Sequence, residues 1–309
     1  MRYLVTGGAG FIGAALVNRL AADGHEVRVL DDLSNGQRER LAPNVMFTQG
    51  SVTNVPRLWT LLQDVDCVYH LAARVSVAES LLYPQEYNTT NVGGTVALME
   101  AMRDAGVRRV VLASSGAVYG EQSQQPVHED DVPMPDSPYA VSKFSAEQYV
   151  RTIGRLWQLE TVSLRIFNAY GPDQPLPVSH APVVPRFLRQ ALTGGSLVLY
   201  GDGSQSRDFV YITDVVSALI AASTAQLIDH QVINIGSGEE TTLNTLVDTI
   251  ETVLGKSVNR LYNPDKSGGV RKLVAETSRA TAILGYHPII SLAEGLQQIL
   301  ATDPRFQQR

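Results

Sequence analysis

The 309-residue sequence predicts an α/β protein: a doubly wound parallel sheet joined to a smaller C-terminal α/β domain. Three observations carry this reading. Short runs rich in Val, Leu and Ile lack the polar alternation of a half-exposed strand, so they suit strands buried on both faces. Amphipathic stretches of helical length separate them, as crossover connections require. A glycine-rich turn joins the first such run directly to the first helical stretch.

Taken in order, RYLVT is the first strand, GFIGAALVNRLAADG the first helix and EVRVLDD the second strand. VMFTQG and DCVYHLAA follow as strands, TVALMEAMRDAG as a helix, RRVVLASS as a strand, PYAVSKFSAEQYVRTIGRLW as a helix and ETVSLRIFN as a strand. After about residue 168 prolines in YGPDQPLPVSHAPVVP and glycines in YGDGSQSRDF loosen the rhythm. The expected division is therefore 1–168 with about 213–236 in the first domain, and 169–212 with 237–309 in the second. YITDVVSALIAAST and HQVINIGS are expected to return to the sheet.

Composition narrows the function classes. Hydrophobic residues make up 44% of the chain, enough for a large core, and the net charge of −6 comes with no Lys/Arg stripe, so no nucleic-acid partner is expected. No apolar run reaches the roughly 18 residues that span a bilayer, and the single cysteine, Cys67, lies in an apolar run; a cytoplasmic protein without a membrane partner or disulfide is expected. The six histidines show no H-x-x-H or H-E-x-x-H spacing and no C-x-x-C occurs, so no metal is expected.

The turn GGAGFIG places Gly7, Gly10 and Gly13 between a strand and a helix. Missing side chains allow a tight turn and close approach of a pyrophosphate to the helix N-terminus. Asp31 arrives near the roughly 20-residue spacing at which an acid accepts from ribose hydroxyls. Such an acid repels a 2′-phosphate, and no arginine follows immediately in DDLSNGQR, so NAD is favoured over NADP. Farther on, Tyr139 and Lys143 lie one helical turn apart, and RRVVLASS ends in Ser114 and Ser115 at the sheet edge that borders the ligand crevice. An isolated Tyr-x-x-x-Lys is an ordinary surface pair. Beside a dinucleotide grip it reads as a base and an activating cation: a nearby ammonium favours the phenolate, which can take a carbinol proton, while a serine hydroxyl orients the reacting oxygen.

TGGAGFIG, the SS…VYG strand end and Y-x-x-x-K together resemble the extended short-chain dehydrogenase/reductases, the NAD-dependent epimerase/dehydratase family, over essentially the whole chain. HLAARVSV, NVGGT, FNAYGP, YGDGSQSRDF and INIGSGE fit the same pattern in order. The resemblance implies a Rossmann-type first domain and a nucleotide-sugar-binding second domain. It implies Tyr139 as acid/base, Lys143 on the nicotinamide ribose, and Ser115 on the reacting oxygen with Ser114 as a second hydroxyl in reach. It assigns the cofactor to Gly7, Gly10, Phe11, Ile12, Gly13, Asp31, Asp32, Asn35 and Gly36, to Ser51, Val52, Leu71, Ala72, Ala73 and Asn91, and to Tyr139 and Lys143.

Within the family the chain is most similar to nucleotide-sugar epimerases of the UDP-galactose/UDP-N-acetylglucosamine 4-epimerase type. That similarity implies a UDP-sugar held by Ser115, Asn168, Val184, Tyr200, Arg207 and Lys266. Sugar 4,6-dehydratases carry Asp-Glu after the serine or threonine, whereas this chain has Gly116 and Ala117, so oxidation and re-reduction at the 4-position is the simpler chemistry. Tyr139 would remove the 4-hydroxyl proton, hydride would pass to NAD, and after the 4-keto sugar turns over it would return to the other face.

Three departures matter. KSGG places Lys266 at a usual arginine and Gly269 at a usual aspartate; Ser51 stands where an aspartate is common; Leu273 occupies the position that gates bulk at sugar position 2. Glucose/galactose, N-acetylated and uronic acid sugars all remain open. A net sugar dehydrogenase or reductase, a dehydratase, and a non-catalytic dinucleotide sensor are the alternatives. The helix after NVGGT and the Tyr139 helix imply, by the same resemblance, a homodimer.

Overall fold

The computed structural model describes residues 1–226, 228–264 and 269–307. Seven apolar runs pair into one parallel sheet in the order Gln231–Ile235, Glu160–Ile166, Arg109–Ser115, Cys67–His70, Arg2–Thr6, Glu26–Asp31 and Met46–Gln49. From Arg2–Thr6 the chain first builds outward through Glu26–Asp31 and Met46–Gln49, then crosses back to Cys67–His70. The order therefore reverses beside Thr6, which pairs with Leu30 on one side and His70 on the other. A crevice opens at the carboxyl ends of strands at such a reversal.

The absence of polar alternation is explained by cover on both faces. Tyr3 and Val5 enter one core with Val29, Tyr69 and Val111, beneath the helices Phe11–Ala22 and Ile212–Thr224. Leu4, one residue between them, enters the opposite core with Leu30, Val68 and Leu112, beneath Val55–Leu61, Gly94–Ala105 and Pro138–Trp157. Each fully buried side chain of this kind contributes about 1.5–3 kcal/mol. YITDVVSALIAAST and HQVINIGS return to the sheet as a covering helix and an edge strand, as expected.

The remaining strands form small sheets. Asn168–Tyr170 pairs with Phe209–Tyr211, Leu197–Tyr200 with Arg260–Asn263, and Ser206–Arg207 lies between Thr241–Thr242 and Lys272–Leu273. Phe187, Leu199, Tyr211, Leu246, Ile250, Leu296 and Phe306 share a separate core with Tyr170. The segment around helix Ser278–Leu284 departs from the division read from sequence. Ala280 and Tyr286 join the first sheet core, and the Tyr286 hydroxyl donates to Gly236 O at 2.8 Å. Gln231–Ile235 is an edge strand, and the segment helps cover it.

Candidate active site

The glycine turn is shaped by close backbone approaches. Gly7 has φ +70°, and its N–H donates to Leu30 O at 2.8 Å. A Cβ there would stand 2.6 Å from the Ala72 nitrogen, and one on Gly13 would stand 2.1 Å from the Gly7 oxygen. Turn, helix and the 71–73 loop thus meet where no side chain fits. The helix Phe11–Ala22 begins at Gly10 without a side-chain cap and without an acid in its first turn. Its first N–H groups and the positive end of its dipole are left for an anion, and this uncapped cradle fits the pyrophosphate of a dinucleotide. Phe11 and Ile12 pack partly into the adjoining cores, which anchors the cradle.

Asp31 ends its strand at the cradle's edge. Its Oδ2 accepts from Ala9 N at 2.9 Å and its Oδ1 from Leu33 N at 2.8 Å, while burial pushes its pKa up against these two bonds. Asp32 accepts from Ser34 N at 2.8 Å, Asn35 is exposed, and a Cβ on Gly36 would stand 2.8 Å from Asp31 Oδ1, so the 31–36 loop closes on the carboxylate. On the neighbouring strand end, Ser51 is exposed and bonded to Thr53 at 2.8 Å. The side chain of Val52 lies in the core against Gly94, which leaves only its backbone for a ligand.

A buried chain of hydrogen bonds runs from the cradle to the Tyr139 helix. Thr6 Oγ1 meets His70 Nδ1 at 2.7 Å, His70 Nε2 meets Thr95 Oγ1 at 2.9 Å, and Thr95 Oγ1 donates to Asn91 O at 2.5 Å. Since the Thr95 proton is committed to Asn91, Thr95 accepts from His70, so Nε2 carries the imidazole proton and Nδ1 accepts from Thr6. Burial, and then the charge of Lys143, pushes the His70 pKa down to about 3 and keeps it neutral. Asn91, in the π-helical segment Asn88–Gly93, is 2% exposed. Its Oδ1 accepts from Arg74 N at 2.8 Å, and its Nδ2 donates to Arg74 O at 3.0 Å and Ser142 Oγ at 2.8 Å. Both amide protons are therefore engaged within the protein. Asn91 thus ties the 71–74 loop to the Tyr139 helix.

The helix Pro138–Trp157 is started by Ser137, whose Oγ accepts from Ala140 N at 3.3 Å, and by a proline in its first turn. Tyr139, Lys143 and Glu147 follow at four-residue intervals on its buried face, 9%, 5% and 0% exposed. Ser115 Oγ accepts from Ala117 N at 3.1 Å, and Ser115 acts to lower the phenol pKa of Tyr139. Burial outweighs that effect and raises Tyr139 overall, while Lys143 is pulled down to about 8 by burial despite the upward effect of Glu147. A phenolate poised by Lys143 alone is thus not what this geometry favours, because desolvation acts on both groups. The Ser114 hydroxyl donates to Glu147 Oε2 at 2.9 Å, so its proton is engaged within the protein. A Cβ on Gly116 would stand 3.2 Å from the Phe167 ring, so an acidic side chain there would be crowded.

On the other side of the crevice, Asn168 begins the strand beside Phe209–Tyr211, with its N–H donating to Asp208 O at 3.0 Å and its side chain exposed. Arg207 Nη1 donates to Ser206 O at 2.7 Å, and burial lowers the guanidinium pKa against the pull of Glu121 and Asp136. Its neighbour Asp208 accepts instead from Ser237, Gly238 and Ala275. Tyr200 ends the strand Leu197–Tyr200 and is half-buried. Val184 is 2% exposed and its side chain lies inside the separate core. Leu273 packs with Val118, Tyr119 and Phe167 behind the Ser115 turn. Lys266 lies outside the described residues.

Sequence reasoning missed His70, Tyr87, Ser142, Glu147 and Arg165. The Tyr87 ring meets that of Tyr139 edge to face at 6.4 Å. Glu147 had a signal, since it extends the Tyr139 and Lys143 spacing by one more turn; Ser142 shares that helix, whereas His70 and Arg165 come from separate strands and Tyr87 from the end of another helix.

Comparison with known proteins matches this geometry to one family. The model of the NAD dependent epimerase/dehydratase family matches residues 3–236. A UDP-glucose 4-epimerase of Mycolicibacterium smegmatis is 39% identical over 303 residues, covering 96% of each chain. The crystal structure of a Thermotoga maritima UDP-glucose 4-epimerase with UDP-glucose superposes with a TM-score of 0.92 at 37% identity, covering 96% of this chain and 97% of that one. A Bacillus cereus UDP-glucuronic acid 4-epimerase in complex with UDP-glucuronic acid and NAD gives a TM-score of 0.88 at 34% identity, covering 96% and 97%.

Proposed function

Because the chain belongs to the NAD-dependent epimerase/dehydratase family, we propose that it is an isomerase that inverts the 4-hydroxyl of a UDP-sugar through a transient 4-keto sugar. The observation that carries this reading is the buried Tyr139, one helical turn from the buried Lys143 and with Ser115 acting on its phenol, at the carboxyl end of the sheet beside the uncapped glycine cradle. When bound, NAD supplies a reversible hydride acceptor and, in its oxidised form, a positive ring charge.

Tyr139 takes the proton of the 4-hydroxyl and returns it after the sugar has turned over. A positive charge entering the cleft lowers the phenol pKa that burial has raised, and the ammonium of Lys143 acts in the same direction. Ser115 donates to the sugar oxygen as charge develops on it. Asp31 holds the adenosine ribose, and the N–H groups after Gly10 hold the pyrophosphate. Arg207, with Asn168 and the ring of Tyr200, holds the UDP moiety, since a guanidinium spans diphosphate oxygens and a phenol stacks on a base. With Gly116 and Ala117 after the serine, no carboxylate is supplied there for elimination.

We assign residues 1–168 and 213–236 to dinucleotide binding and the remainder mainly to the sugar nucleotide. A cytosolic homodimer belongs to the same proposal. Val141, Tyr149 and Leu156 are exposed apolar side chains on one stripe of the Tyr139 helix, opposite its buried face, and pairing with a second copy would cover them. Among the described residues no helix is long and apolar enough to cross a membrane.

The test is incubation with UDP-glucose, UDP-N-acetylglucosamine and UDP-glucuronate without added cofactor, read by NMR. A 4-epimer from at least one is expected, and Tyr139→Phe should keep NAD yet lose about 100- to 10,000-fold in turnover. Stoichiometric NADH formation instead would mark a dehydrogenase.

A further inference from the structure

The face that carries Tyr139 and Lys143 continues to Glu147, which is fully enclosed. Three protein donors converge on its carboxylate: Arg165 Nε on Oε2 at 3.1 Å, Arg165 Nη2 on Oε1 at 2.6 Å and Ser114 Oγ on Oε2 at 2.9 Å. Arg165 is itself 3% exposed; its Cζ lies 4.6 Å from the centre of the Tyr119 ring and its Nη1 donates to Glu129 O at 3.3 Å. Burying such a pair gives little or no stability over apolar groups of the same volume, so stability is a weak reason for placing it there. Its location one turn beyond Lys143 supplies a stronger one.

We propose that Glu147, fixed by Arg165 and Ser114, is a positioning residue that holds the buried Lys143 as an ammonium one turn below Tyr139. The inference rests on the role given to Lys143 above. The charged and titratable groups around that lysine divide clearly. Tyr139 and Glu147 share its helix, neutral His70 faces it from Cys67–His70, and Arg165 brings its charge from Glu160–Ile166 into the Glu147 pair. Tyr87 lies against Tyr139, and Glu129 is occupied by the Asn234 amide at 2.8 Å and by Arg279 at 3.6 Å. Glu147 is the carboxylate in this set that raises Lys143. Ser114, one residue before Ser115, ties the same carboxylate to the strand that carries the serine of the site.

The test uses the NAD-loaded full chain labelled with carbon-13 at lysine Cε. Only Lys256, Lys266 and Lys272 share the spectrum, and Lys143→Met identifies the resonance. Lys143 is titrated in the wild type, in Glu147→Gln, and in the double variant Glu147→Met/Arg165→Met. The double variant removes the Glu147 and Arg165 charges together and carries the test if the single variant does not fold. In each folded variant Lys143 is expected to titrate about one unit lower than in the wild type. The alkaline loss of kcat with UDP-glucose should move toward lower pH by the same amount. An unmoved Lys143 titration in either folded variant overturns the proposal. So does recovery of the wild-type titration in the double variant, because Glu147 would then serve only to neutralise Arg165. If the wild type converts no UDP-sugar, the proposed reaction fails while the lysine titration still decides this inference.

Discussion

His70 makes the buried link between the two halves of the site measurable. In the unfolded chain its imidazole titrates near the usual 6.5, whereas in the folded chain burial and Lys143 hold it at about 3. A folded value below the unfolded one means that the unfolded chain binds more protons throughout the interval. Stability is therefore full above about pH 6.5 and falls as the pH drops toward the folded value. Each pH unit costs about 1.4 kcal/mol, so at pH 5 this one residue should remove about 2 kcal/mol of stability. Protonation would also put a second donor against Thr6 Oγ1, which already accepts from Ala72 N at 3.4 Å. Urea unfolding of the wild type and of His70→Gln at pH 7.5 and pH 5 reads this directly. The variant loses hydrogen bonding at both pH values, but its penalty relative to the wild type should shrink by about 2 kcal/mol at pH 5. Burial raises the pKa of Asp31, Asp208 and Asp214, which gives the opposite pH trend, and the two proteins share it, so it cancels in the difference. A penalty that stays constant between the two pH values would refute a neutral, enclosed His70.

Three further outcomes are expected. Gly13→Ala drives a Cβ toward the Gly7 oxygen and should weaken NAD binding about 10- to 100-fold, measured by calorimetry on the cofactor-stripped protein; an unchanged Kd would remove the close approach from the argument. Asp31→Asn removes the charge that opposes a 2′-phosphate and should reduce the preference for NAD over NADP about tenfold or more, with competition binding as the readout. Arg207→Met should raise the KM for UDP-glucose at least about tenfold with a smaller change in kcat, and equal losses in both constants would move Arg207 from nucleotide binding to chemistry.

The parallel sheet, the alternation of most of its strands and helices, the glycine cradle and the Tyr139–Lys143 pair were legible because each is written locally, whereas the crossover helix Val55–Leu61 was not read. A run such as RYLVT shows its burial on both faces through its composition, a helix shows its period, and GGAGFIG shows its turn through missing side chains. What the tertiary structure alone decided is which polar atoms these elements bring together. Ser114 and Ser115 are adjacent in sequence and equal in chemistry, yet Ser115 acts on the Tyr139 phenol while the Ser114 hydroxyl is spent on Glu147. Asn91 has both amide protons taken by Arg74 and Ser142, and Val184 is turned into a core whose other walls are more than a hundred residues away in places. The rise of the Tyr139 pKa and the fall of those of Lys143 and His70 likewise follow from enclosure by distant segments. Local propensity is a property of neighbours along the chain, whereas desolvation and hydrogen-bond partnership are properties of neighbours in space, and only folding supplies those.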